Sequence, residues 1–262
     1  MTTEQRMLLP SRTTRSSLCA FFALLGLWLV GCTSSGDKLV PPRVLQSPYP
    51  SVNGDVLWAV APMRNESGVS VVDELAMADT LASQIQQVRG ISTVPVNRTL
   101  GVMQELGIAQ VGSPADATAI ARALGADAIV VSNITAWDPY DPPELGLQLG
   151  LYVVRNPLGQ AANTSLNPRD LQAAPSDYDL PSVTSLGTPS STAAEHLDAS
   201  NHEIQQAVMT YAQGRHDPTQ PLGWRRYIAS MTLFTEFGCH RLTERLLDSE
   251  RLRIARQRAS AD

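Results

Sequence analysis

The chain has 262 residues, of which 43% are hydrophobic, and a formal charge of −5 at pH 7. This length is enough for one well-packed core with additional segments. The charge is uneven, because residues 224–262 carry eight arginines against five acidic residues while the segment before them is strongly acidic. An acidic body disfavours nucleic acid as a partner, so we expect no nucleic-acid binding.

The N-terminal stretch has the pattern of a bacterial lipoprotein signal. Three arginines precede the 13-residue apolar run Leu18–Val30, and Leu29-Val30-Gly31-Cys32 closes that run as a lipobox. A bilayer-spanning helix needs about 20 apolar residues, so we predict that residues 1–31 are a signal peptide and that Cys32 carries the lipid. An ordinary secretory signal and an uncleaved anchor remain as alternatives.

The residue after Cys32 bears on which membrane the lipid enters. It is Thr33, where the Asp that marks inner-membrane retention in well-studied Gram-negative sorting would stand. This favours the periplasmic leaflet of the outer membrane over the inner membrane. Cleavage would leave 231 residues and a charge of −7, because the signal holds three arginines and one glutamate. Cys239 is then the remaining cysteine, so we expect no intramolecular disulfide.

Composition divides the mature chain into four segments. Residues 32–54 are rich in proline and are predicted to be a flexible tether. Residues 55–156 are predicted to form an α/β periplasmic domain. Residues 157–195 are dominated by Pro, Ser, Thr and other small residues and are predicted to be a disordered linker. Residues 196–262 are predicted to be a helical C-terminal region.

The predicted elements follow the order β-α-β-α-α-β-β and then two helices. Ser113-Pro114 marks one helix start through a hydroxyl cap and a proline at the first helical position, and Gly125 ends that helix. The order predicts an α/β fold, a mixed β-sheet with packed helices, plus a helical C-terminal appendage. The strands are predicted at 56–62, 91–96, 128–136 and 144–155. The helices are predicted at 73–89, 97–107 (with Asn97 as its cap), 114–124, 196–213 and about 223–258.

Two stretches resemble a known group of bacterial envelope domains. Val60-Ala61-Pro62-Met63-Arg64-Asn65-Glu66-Ser67-Gly68 and Ala121–Val131 resemble motifs of the CsgG, FlgO, LpoB and TolB N-terminal group. The resemblance implies a compact α/β lipoprotein domain with assembly, scaffolding or partner-activating roles. Met63 stands where an aromatic residue is usual, and Ser132-Asn133 replaces a common glycine. A secretion pore is not implied, because only residues 144–155 offer a candidate amphipathic strand.

Two groups of residues are candidates for partner binding. Asn65, Glu66 and Ser67 either form a partner-facing loop or merely supply the geometry of a turn. The stripe of Trp224, Tyr227, Phe234 and Phe237 either packs back on the α/β domain or docks on another subunit or partner.

Other residues invite a metal, ligand or catalytic interpretation. The carboxylates Asp138, Asp141 and Glu144 follow a strand and are weak candidates for Ca²⁺, but an ordinary solvated turn explains them better. Cys239 and His240 are adjacent on a predicted helix and point about 100° apart, so they do not converge on a metal. We expect no bound metal and no cofactor.

These patterns together predict a non-enzymatic lipoprotein of the cell envelope. Its expected partners are the membrane, through the N-terminal lipid, and envelope proteins, with self-association as a further option. No residue set has the spacing of a catalytic site. The alternative is a small-molecule or glycan-binding module that uses the loop around Asp138.

Overall fold

The computed structural model describes residues 41–50, 54–155, 188–215 and 220–259. The predictions for the signal peptide, for Cys32 and for most of the linker lie outside these residues. Within them, no helix is both long and apolar enough to cross a bilayer.

A six-stranded mixed sheet organises the chain. Its strand order is β3-β1-β4-β5-β6, and the short β2 pairs with β4 further along the same edge as β1. The fold class predicted from sequence is confirmed. The strands are β1 (Val56–Val60), β2 (Arg64–Asn65), β3 (Ile91–Val94), β4 (Ala128–Asp138), β5 (Glu144–Val153) and β6 (Ser191–Asp198).

One half of the sheet is parallel and the other half is antiparallel. β1 lies between β3 and β4 and is parallel to both. Four of its five residues are buried, as expected of a strand that is covered on both faces. This confirms a strand in the region predicted at 56–62. β4, β5 and β6 are antiparallel, and Asp138 lies opposite Glu144 at one end while Ala128 lies opposite Val153 at the other.

Helices pack on both faces of the sheet. α3 (Pro114–Leu124) begins with a capping box, in which the Ser113 hydroxyl accepts from the Asp116 amide and the Asp116 carboxylate accepts from the Ser113 amide. α2 begins one residue before the predicted Asn97 cap, directly after Pro95. The helices are α1 (Glu74–Gln86), α2 (Val96–Glu105), α3 (Pro114–Leu124), α4 (His202–Ala212) and α5 (Met231–Ala259), with a 3₁₀ helix at Gly223–Tyr227.

The alternation of side chains along β1 divides the core into two clusters. Trp58 and Val60 join a large cluster that contains buried residues of α1, α4, α5 and β5. Ala59 and Ala61 join a smaller cluster with residues of α2 and α3. The C-terminal helices therefore complete the same core as residues 55–155.

Residues 191–198 form β6, which corrects two predictions. Residues 191–195 were expected to belong to the disordered linker, and a helix was expected from His196. Instead β6 pairs along its whole length, from Ser191 to Asp198, with residues Leu151 to Glu144 of β5, and the helix begins at His202. The strand has few large side chains, but backbone pairing and the burial of Ala193 and Leu197 stabilise it.

Gly238 lies inside α5 and does not break it. The helix is continuous from Met231 to Ala259, although a glycine is unfavourable inside a helix. A Cβ atom at Gly238 would lie 2.8 Å from Leu145 Cδ2 and 3.0 Å from Leu197 Cδ1. The glycine therefore allows α5 to approach β5 and β6 closely.

Candidate functional site

The turn after β2 is held by the side chains that were predicted for partner binding. Asn65 Nδ2 donates to the Val69 carbonyl at 2.8 Å, and Asn65 Oδ1 accepts from the Ser67 hydroxyl at 2.7 Å. The Ser67 hydroxyl also accepts from the Val69 amide. Glu66 forms an ion pair with Arg64. Asn65 and Ser67 therefore supply turn geometry, which leaves Glu66 and Arg64 as the polar groups facing solvent.

The loop between β4 and β5 contains the three predicted carboxylates. Asp138 Oδ1 accepts from the Tyr140 amide at 3.0 Å, which is the usual way for Asp to stabilise its own turn. Glu144 Oε2 lies 3.4 Å from His196 Nε2 on β6, and Asp141 is exposed. Among the described residues, no group of three or more His, Cys, Asp or Glu side chains is placed to hold a metal ion.

These two loops emerge at the same edge of the sheet. β2 is parallel to β4, with Asn65 opposite Ile134, so the chain leaves both strands in the same direction. The large apolar side chains exposed here include Val71 at 78% and Tyr140 at 79%. We name residues 64–75 and 138–144 the loop edge.

The aromatic stripe packs on the protein's own core, which is the first of the two predicted alternatives, and is not free to dock on a partner. Phe234 and Tyr227 are buried, and Tyr211 of α4 packs edge-on against Tyr227 at 5.4 Å between ring centroids. Trp224 is partly buried against the same core. A hydrophobic spacing predicts a buried face, but it does not distinguish the protein's own core from a partner.

Cys239 and His240 are both buried on α5. Burial raises the pKa of the Cys239 thiol to about 12 and, together with the charges of Arg215 and Arg43, lowers the pKa of His240 to about 4. The imidazole is therefore neutral at neutral pH.

A buried network that the sequence did not predict fixes the segment 41–50, which corrects the prediction of a flexible tether for these residues. Glu250 of α5 is fully buried, and its carboxylate accepts from the Tyr49 hydroxyl at 2.8 Å, the Ser191 hydroxyl at 2.7 Å and Arg253 Nε at 2.7 Å. Burial and the neighbouring carboxylate raise the pKa of Tyr49. The signal in the sequence was the position of Glu250, which shares the helical spacing of the apolar residues Leu246, Leu247 and Ile254 and so falls on the buried face.

The network lies at the end of the sheet opposite the loop edge. Ser191 pairs with Leu151 near one end of β5. Glu144, which belongs to the loop edge, lies at the other end of β5. Since a strand rises about 3.3 Å per residue, the seven residues between them separate the two ends by roughly 23 Å. The segment 41–50 therefore joins the domain far from the loop edge.

No family model matches this chain, and no curated protein matches it. Solved structures do resemble part of it. The LpoB C-terminal domain from Salmonella enterica is 23% identical, with a TM-score of 0.33, and the match covers 40% of this chain and 77% of that one. The lipoprotein GNA1162 from Neisseria meningitidis is 16% identical, with a TM-score of 0.32, covering 45% and 92%. The NMR structure of Escherichia coli LpoB is 16% identical, with a TM-score of 0.34, covering 60% and 78%.

Proposed function

We propose that this chain is a lipid-anchored protein of the bacterial envelope that acts through protein contacts and not through catalysis. The observation that carries the proposal is the lipobox Leu29-Val30-Gly31-Cys32 behind a basic stretch and a short apolar run. A thioether-linked lipid on Cys32 would hold the α/β domain at the periplasmic face of a membrane, with the outer membrane favoured because Thr33 follows.

The anchor is strong and its reach is limited. Each buried methylene contributes about 0.8 kcal/mol, so two or more long acyl chains hold a protein stably on a bilayer. Cys32 is nine residues from Pro41, where the described structure begins. At about 3.3–3.6 Å per residue, the connection spans at most about 30 Å.

The loop edge is the surface that we propose for partner binding. Segment 41–50 connects to the anchor and is fixed at the opposite end of the sheet by Tyr49 and Glu250. The loop edge can therefore face away from the attachment point, and it exposes Val71, Tyr140 and the ion pair Arg64–Glu66. A mixture of exposed aromatic, aliphatic and charged groups is typical of protein interfaces.

Lipidation is tested by labelling cells with radioactive palmitate and separating their membranes. We expect the wild-type protein to be labelled and recovered with the outer membrane. Cys32→Ala should lose the label and leave the membrane fraction, while Cys19→Ala, a matched change in the signal, should keep both. A labelled, membrane-bound Cys32→Ala protein would contradict the proposed anchor.

Partner binding is tested by placing a photo-crosslinking amino acid at Tyr140 in intact cells. We expect a discrete crosslinked species from Tyr140 and none from Leu252, a matched position that is 58% exposed. Leu252 follows Glu250 on α5 and so lies at the other end of the sheet. Equal crosslinking at both positions, or none at Tyr140, would contradict the assignment of the loop edge.

A further inference from the structure

A cleft lies between segment 41–50 and the helices α1 and α5. Its volume is about 350 Å³. Arg43 and Leu45 come from the segment, Gln84 and Val88 from α1 and the residues after it, and His240 from α5. Arg215, shortly after α4, completes the wall, and an adjoining hollow of about 200 Å³ shares Arg43, Arg215 and His240. Segments distant in the sequence therefore build one concave site.

Two residues that line this cleft each carry a buried polar atom without a hydrogen-bond partner among the described residues. These atoms are Gln84 Oε1 and His240 Nδ1, on side chains that are 5% and 9% exposed. An unsatisfied buried polar group is costly, so native proteins rarely keep two in one place without a use for them. The imidazole packs against the Tyr211 ring at 4.9 Å between centroids, which restrains its orientation.

The charges around the cleft leave one positive charge in excess. Arg43 forms an ion pair with Glu244 at 2.8 Å, and this pair is exposed enough to be displaced at small cost. The Arg215 guanidinium lies 4.3 Å from the Tyr211 ring centroid and donates to the Tyr211 carbonyl at 3.0 Å. Arg241 and Glu244 line the adjoining hollow, and Arg241 is already paired with Glu195 at 2.9 Å. Arg43, Arg215 and Glu244 therefore leave one positive charge in excess, which suits a ligand with a single negative charge.

We infer that this cleft binds the free carboxyl terminus of a peptide chain. The terminal carboxylate would lie between Arg43 and Arg215, where charge-assisted hydrogen bonds are strongest. The last peptide N–H would donate to Gln84 Oε1, and the last peptide carbonyl would accept from a protonated Nδ1 of neutral His240. A terminal apolar side chain would contact Leu45 and Val88.

The size and the chemistry of the cleft both favour this ligand. A volume of about 350 Å³ is at the small end of ligand pockets, and it suits one or two residues. A chain terminus carries one negative charge, one amide donor and one carbonyl acceptor close together. A simple carboxylate would satisfy the arginines but would leave Gln84 without a donor. Binding in this cleft would require neither the lipid anchor nor the loop edge.

The test uses the full chain in detergent micelles and saturation-transfer NMR, which detects the methyl groups of a bound ligand. The probe is N-acetyl-alanyl-leucine with a free carboxylate. Its C-terminal amide and 4-methylpentanoate, which lacks the peptide unit, are the comparison ligands. We expect the acid to bind at least about tenfold more tightly than either, because each lacks one charged or polar contact.

Variants locate the binding. Arg43→Gln should weaken binding of the acid at least about tenfold, and Arg98→Gln, an exposed site on α2 with the same charge change, should leave it unchanged. Circular dichroism confirms that both variants are folded.

Free alanyl-leucine distinguishes the source of the bound carboxylate. Binding of the acetylated probe indicates the end of a longer chain, and binding of the free dipeptide alone indicates a small peptide. Equal binding of the acid and its amide, equal binding of 4-methylpentanoate, or no transfer at millimolar probe would overturn the inference.

Discussion

The buried carboxylate of Glu250 should be the most sensitive charged group in the fold. Glu250→Gln keeps the shape of the side chain but removes its charge and one acceptor oxygen. The new amide nitrogen would face hydrogen-bond donors from the Tyr49 and Ser191 hydroxyls or from Arg253. Arg253, whose side chain is only 21% exposed, would lose its counter-charge.

Breaking a buried ion pair by removing one partner costs about 3–5 kcal/mol, and we expect Glu250→Gln to lower the free energy of unfolding by that amount. Tyr49→Phe removes a single hydrogen bond to the same carboxylate and should cost about 2 kcal/mol. Asp248→Asn is the matched control, because its carboxylate is 61% exposed and pairs with Arg251 on the surface. We expect that change to cost less than about 1 kcal/mol.

Urea unfolding followed by circular dichroism measures these values, in a chain that begins at residue 32 and carries Cys32→Ser. The order Glu250→Gln, then Tyr49→Phe, then Asp248→Asn is the expected result. A cost for Glu250→Gln no larger than that for Asp248→Asn would refute the reasoning, because the network would then not hold segment 41–50 on the domain.

Three further outcomes can be measured with the same chain. Gly238→Ala should lower the free energy of unfolding by about 1–3 kcal/mol, because its Cβ would lie 2.8 Å from Leu145 Cδ2. Gly101→Ala, at an open position in α2, should instead raise it by about 0.5–1 kcal/mol. Equal effects of the two changes would contradict the packing argument. Burial holds the pKa of His240 at about 4, below the value of about 6.5 in an unfolded chain, so the unfolded state takes up the proton first. The free energy of unfolding should therefore fall as the pH drops below about 6.5 and level off below about 4. Between about pH 7 and pH 5 the wild type should lose about 2 kcal/mol more than His240→Gln. Identical pH dependence of the two proteins would contradict the depressed pKa. The Cys239 thiol should react with a thiol reagent only after unfolding, because burial raises its pKa to about 12, and fast labelling of the folded chain would contradict its burial.

Features that depend on neighbouring residues could be predicted from the sequence. The central strand β1 has a continuous apolar run, and α3 begins with a hydroxyl, a proline and an acid in the order that a helix start requires. The apolar alternation of β5 likewise predicted a strand, and its leucines are buried. Each of these signals lies within about a dozen residues.

Features that depend on distant contacts could not be predicted. β6 is stabilised by pairing with β5, across the residues between 153 and 191 that separate them, and its own composition resembles a linker. In the sequence alone, Gly238 is typical of a helix break. Its role becomes clear only from the structure, in which Leu145 and Leu197 pack against it. The cleft brings together Gln84 and His240, which are far apart in the sequence and belong to no shared motif.

The most direct test of the account is mass spectrometry of the N-terminal peptide from protein isolated from native membranes. We expect a chain that begins at Cys32 and carries a diacylglycerol thioether on its sulfur. A chain that begins elsewhere, or that carries an unmodified Cys32, would contradict the lipid anchor and with it the proposed place of the protein in the envelope.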